Sequence, residues 1–489
     1  MQTLPLITHS APSSIVAWRN GIAVTVEHFL AEVEHLVTLL PAGKHVLNVC
    51  RDRYHFAVGL AAAIMSNKVS LLPPAHTTEM VEQLKRFSAD VFCLHDNPDC
   101  DIAMPRVCYP LTLKPQTLNL QTSDPQSCNS IGFEQISNGT AVKTTIPQID
   151  VKQLVAIVFT SGSTGSPIPH SKTWGSLVCN VQAQAQRLGL TASIQYSIIG
   201  TIPPQHMYGF ESTILLPMQS GNAICNVQPF YPSDICSAIA STPVPRILVS
   251  APLHLRLLLD AELALPELAL LLSATAPLSE ALAHKAENSL KAPLIEIYGS
   301  TETGQIATRH TTKSAEWQLL PNVKLVQREE YIWAEGGHIE KPMPLNDIIA
   351  LTAIELDSTE SNSTGRFILH GRKQDLINIA GKRSSLTNLN HHLNAIDGVM
   401  DGAFFMPDEV SHDHVTRLCA CVVAPTLTAT DLLSALRLRI DPVFLPRPLL
   451  FVDELPRNST GKLPREALQK LIATSITEAS DNFSFANSV

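Results

Sequence analysis

His45-Val46-Leu47-Asn48-Val49 is a short apolar run, Phe56 to Met65 is alanine-rich, and Val69-Ser70-Leu71-Leu72 is apolar again before Pro73-Pro74 ends it. Strand, helix and strand in that order form a βαβ unit. Similar alternation recurs at Val91 to Leu94, Leu154 to Thr160, Tyr196 to Ile202, Ala223 to Val227, Arg246 to Ser250, Leu268 to Ser273 and Leu294 to Tyr298. So many units predict parallel sheets covered by helices on both faces.

Residues 113–150 are rich in Ser, Thr, Gln, Asn and Pro and read as a connection between subdomains. From about Leu319 to Leu369 the pattern changes to short strands and turns, an all-β insert or barrel, with a polar loop at Asp357 to Thr364. After Gly371-Arg372 a smaller α+β segment begins, with a helix at Leu386 to Ile396, a strand at Arg417 to Val423 and a helix at Ala429 to Leu438. Ser475 to Val489 looks frayed. The expected fold is therefore α/β. A large N-terminal domain, residues 1–372, combines helix-covered, mainly parallel sheets with a β-barrel subdomain near 319–369, and residues 373–489 form a small mobile α+β domain.

At 489 residues the chain exceeds one ordinary core. With 45% hydrophobic and 16% charged residues most of it folds. A net charge of -9 lacks the basic footprint of a nucleic-acid binder. Met1 to Ser14 has no basic stretch followed by an apolar run, and Leu253 to Leu272 is broken by Arg256, Asp260, Glu262 and Glu267, so neither a signal peptide nor a membrane span is expected. The ten cysteines show no CxxC spacing and read as small buried residues of a reducing cytoplasm. His391-His392 and His412-Asp413-His414 lack a third partner and read as polar surface rather than metal ligands.

Four stretches carry chemistry. In the first, the Val155 to Thr160 strand opens into Ser161-Gly162-Ser163-Thr164-Gly165-Ser166-Pro167, whose backbone N–H groups and hydroxyls can nest phosphate oxygens; the bland reading is a flexible loop. Ser171-Lys172-Thr173 follows, but no glycine precedes Lys172, and Pro167 and Pro169 preclude the compact turn and helix start of a Walker loop. The second stretch is Glu296-Ile297-Tyr298-Gly299-Ser300-Thr301-Glu302-Thr303-Gly304, where an aromatic can stack on a base, hydroxyls can reach phosphate and Glu302 can hold Mg²⁺. The third is Gly371-Arg372-Lys373-Gln374-Asp375 with Gly381-Lys382-Arg383. The fourth is Leu455-Pro456-Arg457-Asn458-Ser459-Thr460-Gly461-Lys462-Leu463-Pro464-Arg465, whose Lys462 can swing into a site and neutralise developing charge.

In this order the four stretches resemble the signatures of the AMP-forming adenylating superfamily, which includes acyl- and aryl-CoA synthetases, adenylation domains of peptide synthetases and luciferases. The resemblance implies an ATP- and Mg²⁺-dependent ligase that converts a small carboxylic acid to an acyl- or aryl-adenylate. The acyl group then passes to the thiol of CoA or of a phosphopantetheine. It also implies roles. Thr160, Ser161, Gly162, Ser163, Thr164 and Gly165 would grip the β,γ-phosphates, Tyr298 would stack on adenine, Gly299 would belong to the same nucleotide site, and Asp347 and Arg372 would hold the ribose. Thr301 would contact the α-phosphate, Glu302 would bind Mg²⁺ and Lys462 would be the adenylation lysine. Gln374 falls at the hinge, and Gly381 lines the thiol path. His206 gates thiol entry beside an acyl pocket formed by Met207, Tyr208, Gly209, Ser273, Ala274 and Thr275.

The chain departs from the family pattern where Ile168 follows Pro167 instead of lysine, which raises the question whether Lys172 substitutes, where Asp347 lies in Leu345-Asn346-Asp347, and where Ser384-Ser385 ends the Gly381 turn. Cys50-Arg51-Asp52-Arg53-Tyr54-His55-Phe56, Pro169-His170-Ser171-Lys172-Thr173-Trp174 and Asp441 to Pro448 are similar to a shorter subgroup associated with aryl polyene and xanthomonadin pigments. That subgroup charges hydroxybenzoate-type acids for a carrier protein. Arg437, Arg439, Arg447, Arg457 and Arg465 read either as a solvated face or as a docking patch for an acidic acyl carrier protein. A medium-chain fatty acyl-CoA synthetase and a non-catalytic adenylate- or acyl-binding paralogue are the competing functions.

Overall fold

The structure, a computed structural model, describes residues 2–110, 145–161, 167–190, 194–353, 365–372, 376–379, 382–406, 418–458, 461–472 and 474. Most of the connection expected over 113–150, the polar loop at 357–364, the pair His412 and His414 and the tail from Ser475 lie outside the described residues. The chain divides into two compact units. One comprises Met1–Gly200, Pro204–Gln228 and Ser237–Ile247; the other comprises Thr201–Pro203, Pro229–Cys236 and Leu248–Val489.

The first unit contains the βαβ motif expected from the sequence. Strands His45–Asn48 and Val69–Leu72 pair in parallel and are joined by helix Arg53–Met65. Asp52 caps that helix, accepting from the backbone N–H groups of Tyr54 and His55. Every residue from Arg53 to Ile64 is buried, so the helix is a core element and not an amphipathic cover. A side chain at Gly59 would meet Leu94 at 2.5 Å and Asn48 at 2.6 Å; this glycine sets how closely the helix packs on the sheet. The six-stranded sheet runs Pro167–Thr173, Leu154–Ser161, Val69–Leu72, His45–Asn48, Val91–His95, Arg106–Cys108. Only its Pro167–Thr173 edge is antiparallel. Strands Ser197–Gly200, Ala223–Cys225, Ile15–Arg19 and Ile22–Thr25 make a second layer in this unit.

In the second unit strands lie in the order Asp347–Ala353, Arg366–Arg372, Trp317–Leu319, Gly304–Arg309, Leu294–Ser300, Leu270–Ser273, Arg246–Ser250, the last entering the unit at Leu248. The stretch expected to be β-rich does consist of strands, but they divide between two sheets. Trp317–Leu319, Asp347–Ala353 and Arg366–Arg372 extend the sheet just given, while Val323–Arg328, Tyr331–Gly336 and Ile339–Leu345 form a separate antiparallel meander.

Residues from Leu376 onward form the hairpin Leu376–Ile379 and Lys382–Ser385, helix Leu386–Asn394, the sheet Asp401–Phe405, Cys419–Val423, Leu449–Phe451, and helix Ala429–Arg437 with a Thr428–Asp431 capping box. Strand Cys419–Val423 is buried on both faces. Leu418, Ala420 and Val422 pack with Leu389, Leu393, Leu432 and Leu436, and Cys421 packs with Ala403, Phe405, Leu455 and Leu468. Both clusters consist entirely of side chains from residues 377–472.

Candidate active site

The hydroxyl-rich stretch is a hairpin connection. Leu154–Ser161 and Pro167–Thr173 pair antiparallel with Ser161 opposite Pro167, and the loop between them, with Gly162, Ser163, Thr164 and Gly165, lies outside the described residues, as does the Ser161 side chain. Thr160 bonds through Oγ1 to His170 Nε2 at 3.0 Å. A strand, not a helix, follows the loop, and helix Trp174–Arg187 starts only after its Thr173 cap. Lys172 is buried opposite Ala156, about 17 Å along the strand from Pro167, too far for its side chain to reach the strand's loop end.

His206 precedes helix Met207–Phe210, which continues as a π-turn, Glu211–Leu215, and then Leu216–Ser220. Single π-turns are rare and concentrate at functional sites. Arg53 lies beneath this stretch. It is 0% exposed, donates to the Gly200 carbonyl at 2.9 Å and to Thr213 Oγ1, and Thr213 in turn donates to the Gly209 carbonyl at 2.5 Å. Burial lowers the Arg53 pKa to about 10, which leaves it charged at neutral pH. The Tyr208 hydroxyl is buried without a hydrogen-bond partner among the described residues, and burial pushes its pKa up. Asp52, beside Arg53, accepts from Asn226 at 2.7 Å, while His55 pairs with Asp96 at 3.0 Å and stacks on Tyr109 at 4.0 Å. The unusual Cys50 to Phe56 segment thus supports the His206 to Gly209 stretch from within the core. An arginine in a helix's first turn is ordinarily a surface residue, and nothing in the sequence marks this one as buried.

In the second unit Tyr298 sits in strand Leu294–Ser300, with its ring against Trp317 and Phe367 at 5.6 and 5.7 Å. Its hydroxyl donates to Asp347 Oδ2 at 2.6 Å. Asp347 is the direct cross-strand partner of Arg372, whose side chain lies outside the described residues. Three residues expected at a nucleotide from separate stretches therefore converge. Gly299 is required here, because a Cβ would stand 2.2 Å from the Gly304 carbonyl oxygen. Reciprocal bonds between Ser300 and Thr303 close the turn, His338 Nε2 contacts the Thr303 carbonyl at 2.8 Å, and Thr301 and Glu302 form the tip with Glu302 exposed. One exposed carboxylate beside a hydroxyl-rich turn suits Mg²⁺ brought in with phosphates, since that ion takes one or two carboxylates plus phosphate oxygens and water. No group of three or more His, Cys, Asp or Glu able to hold a metal occurs among the described residues.

Ser273 and Ala274 are buried and Thr275 has φ +79°, a strained conformation for a β-branched residue. Ser273 Oγ has no hydrogen-bond partner among the described residues. Sequence reading missed His254 in the same unit. It is 1% exposed, bonds through Nδ1 to Thr201 Oγ1 at 2.7 Å, leaves Nε2 without a hydrogen bond among the described residues, and is held neutral by burial, with a pKa of about 4. A lone histidine among leucines carries no signal of this kind.

Lys462 is exposed on a loop whose backbone is tightly bonded: Asn458 and Lys462 exchange bonds at 2.8 and 3.0 Å, and Gly461, at φ +77°, donates to the Asn458 carbonyl at 2.8 Å. Of the arginines expected on a docking face, Arg457 is committed to Asp401 and the Gly461 carbonyl, and Arg465 lies over the Phe405 ring at 5.7 Å. Arg437 and Arg439 flank Leu438, which is 87% exposed. Gln374 and Gly381 lie outside the described residues.

A family model described as AMP-binding enzyme matches residues 19–372. The chain is 28% identical over 311 residues to a 4-coumarate–CoA ligase of Rhodobacter capsulatus, covering 63% of this chain and 74% of that protein. It is 26% identical over 351 residues to a 4-chlorobenzoate–CoA ligase of an Arthrobacter species, covering 65% and 66%. In fold it is similar to the o-succinylbenzoate CoA synthetase of Bacillus subtilis in complex with its acyl-adenylate intermediate, with a TM-score of 0.74, 17% identity and 95% and 98% of the two chains covered. ATP-bound MatB from Rhodopseudomonas palustris gives a TM-score of 0.73 at 17% identity, covering 95% and 97%.

Proposed function

The chain belongs to the AMP-binding enzyme family, and on that premise we propose that it is an acid:thiol ligase that forms an acyl- or aryl-adenylate from ATP and passes the acyl group to a pantetheine thiol. The observation that carries this reading is the meeting of Tyr298 and Asp347 at 2.6 Å with Arg372 directly across the strand pair. An aromatic face beside a carboxylate, with an arginine at the facing strand position, suits a nucleoside, the ring taking the base and Asp347 and Arg372 the ribose hydroxyls.

In the first half-reaction the substrate carboxylate attacks the α-phosphorus and pyrophosphate leaves. The loop from Thr160 to Gly165 binds the departing phosphates, Thr301 orients the α-phosphate, and Lys462 neutralises charge shared between carboxylate and phosphate. Glu302 would hold the Mg²⁺ that screens phosphate charge when the nucleotide is bound. In the second half-reaction residues after 372 turn about Gln374, Lys462 withdraws, and a thiol arriving along the Gly381 turn past His206 attacks the acyl carbonyl and expels AMP. The two self-contained apolar clusters of residues 377–472 support such independent motion.

We favour an aromatic acid of the hydroxybenzoate type, supported by the names of the coumarate and chlorobenzoate relatives. The nine described cysteines are free thiols, which supports a reducing cytoplasmic setting. Among the described residues no helix is long and apolar enough to cross a membrane. ATP–pyrophosphate exchange with 4-hydroxybenzoate, 4-coumarate, 4-chlorobenzoate and octanoate tests the reading. Exchange with an aryl acid is expected, octanoate alone would indicate the fatty acyl synthetase, and no exchange with any acid would indicate the non-catalytic paralogue. Thioester formation with CoA and with a phosphopantetheinylated carrier protein, compared at low and high salt, then identifies the acceptor.

A further inference from the structure

Helix Pro252–Asp260 presents Leu253 and Arg256, three residues apart and therefore on one face, to two segments far along the chain. A Cβ at Gly461, next to Lys462, would stand 3.2 Å from Leu253 Cβ. Arg256 donates through Nη1 to the Met400 carbonyl and lies 4.0 Å from Asp401. Asp401 in turn accepts two bonds from one edge of the Arg457 guanidinium, Nε to Oδ2 at 2.6 Å and Nη2 to Oδ1 at 2.8 Å, while the remaining Nη1 donates to the Gly461 carbonyl at 2.9 Å. The planar guanidinium of Arg457 thus ties the corner at Asp401 to the residue preceding Lys462 through three nitrogens, a geometry that a lysine cannot reproduce.

We propose that Arg256 is a positioning residue for adenylate formation, latching the Met400–Asp401 corner, and through Arg457 the Lys462 loop, onto helix Pro252–Asp260. The inference rests on the reading of Lys462 as the adenylation lysine. The two arginines have different tasks. Arg457 shapes the loop internally and is needed wherever the loop travels. Arg256 acts from outside residues 377–472, so its bonds serve only the arrangement seen here and must break for Lys462 to withdraw. Its side chain is 27% exposed, so replacement removes the latch without opening a core.

The test compares Arg256→Gln, Arg256→Lys and Lys462→Ala in the full-length chain, using the aryl acid of the panel above that exchanges fastest with the unaltered protein. Losing a charge-assisted bond made in only one arrangement is expected to lower the kcat of pyrophosphate exchange by about tenfold in Arg256→Gln, with the KM for ATP unchanged. Thioester formation from supplied acyl-adenylate should be unimpaired, and Arg256→Lys should recover part of the exchange rate. Lys462→Ala should lose more of the exchange rate, again with thioester formation spared. Unaltered exchange in Arg256→Gln beside a collapsed Lys462→Ala overturns the latch and leaves the lysine reading standing. Normal exchange in Lys462→Ala instead overturns the lysine reading itself. Equal loss of both half-reactions in Arg256→Gln, or a lowered unfolding midpoint that accounts for the loss, shows a structural residue and overturns the proposal.

Discussion

Tyr298 donates its phenolic hydrogen to Asp347 at 2.6 Å across a sequence separation of 49 residues. The bond joins a strand-end tyrosine to the first residue of strand Asp347–Ala353, so the position of the ring and the direction of the carboxylate are set together. On the proposed function, a nucleoside held by both would meet a prearranged pair and not two mobile side chains.

Removing that bond should weaken nucleotide binding before it affects chemistry. Tyr298→Phe keeps the ring and is expected to raise the KM for ATP about threefold to tenfold, and Asp347→Ala by tenfold or more, each with a smaller change in kcat. Pyrophosphate exchange at varied ATP measures both. Loss confined to kcat would remove these residues from the ground-state nucleotide site.

Lys462→Ala should slow acyl-adenylate formation by about 10² or more while sparing thioester formation from supplied acyl-adenylate. Single-turnover assays of each half-reaction distinguish the two. Equal slowing in both would end the division of labour assigned to this loop.

Gly299→Ala drives a methyl group to 2.2 Å from the Gly304 carbonyl oxygen, a backbone atom that cannot swing aside. The hairpin that carries Thr301 and Glu302 must shift, at a cost of about 2 kcal/mol or more. A lowered urea midpoint together with depressed exchange is expected. A variant with unchanged stability and activity would show that the close approach is relaxed in solution.

The buried imidazole of His254 makes stability fall in acid. Burial lowers its pKa to about 4 from an ordinary 6.5, so in that interval the unfolded chain binds a proton that the folded chain does not. Its full contribution is present above about pH 6.5 and is lost as pH falls toward 4, by up to roughly 3 kcal/mol. Urea unfolding at about pH 7.5 and about pH 5 should show a smaller drop for His254→Gln than for the unaltered chain. Parallel curves for the two proteins would show that this histidine titrates normally.

Local pattern carried much of the fold. The βαβ unit of residues 45–72 is visible because apolar runs, an alanine-rich segment and a proline pair have different spacings, and each spacing fits one kind of element. The division of the β-rich stretch between two sheets was not visible, because strands that join one sheet or another share the same period of two. The hydroxyl-rich loop was recognised by its composition, yet the antiparallel return of Pro167–Thr173 was not, since a strand's partner is not written in the strand.

The sequence by itself determined which residues have the chemistry to hold a nucleotide and the order in which they occur, since side-chain type and local periodicity are properties of neighbours in the chain. Only the tertiary structure decided that Tyr298 meets Asp347, that Arg457 grips Asp401 across 56 residues, and that Arg53 is buried in the core. Such pairings depend on strand register and helix packing, and those follow from the burial of the whole apolar surface, which no short stretch can specify.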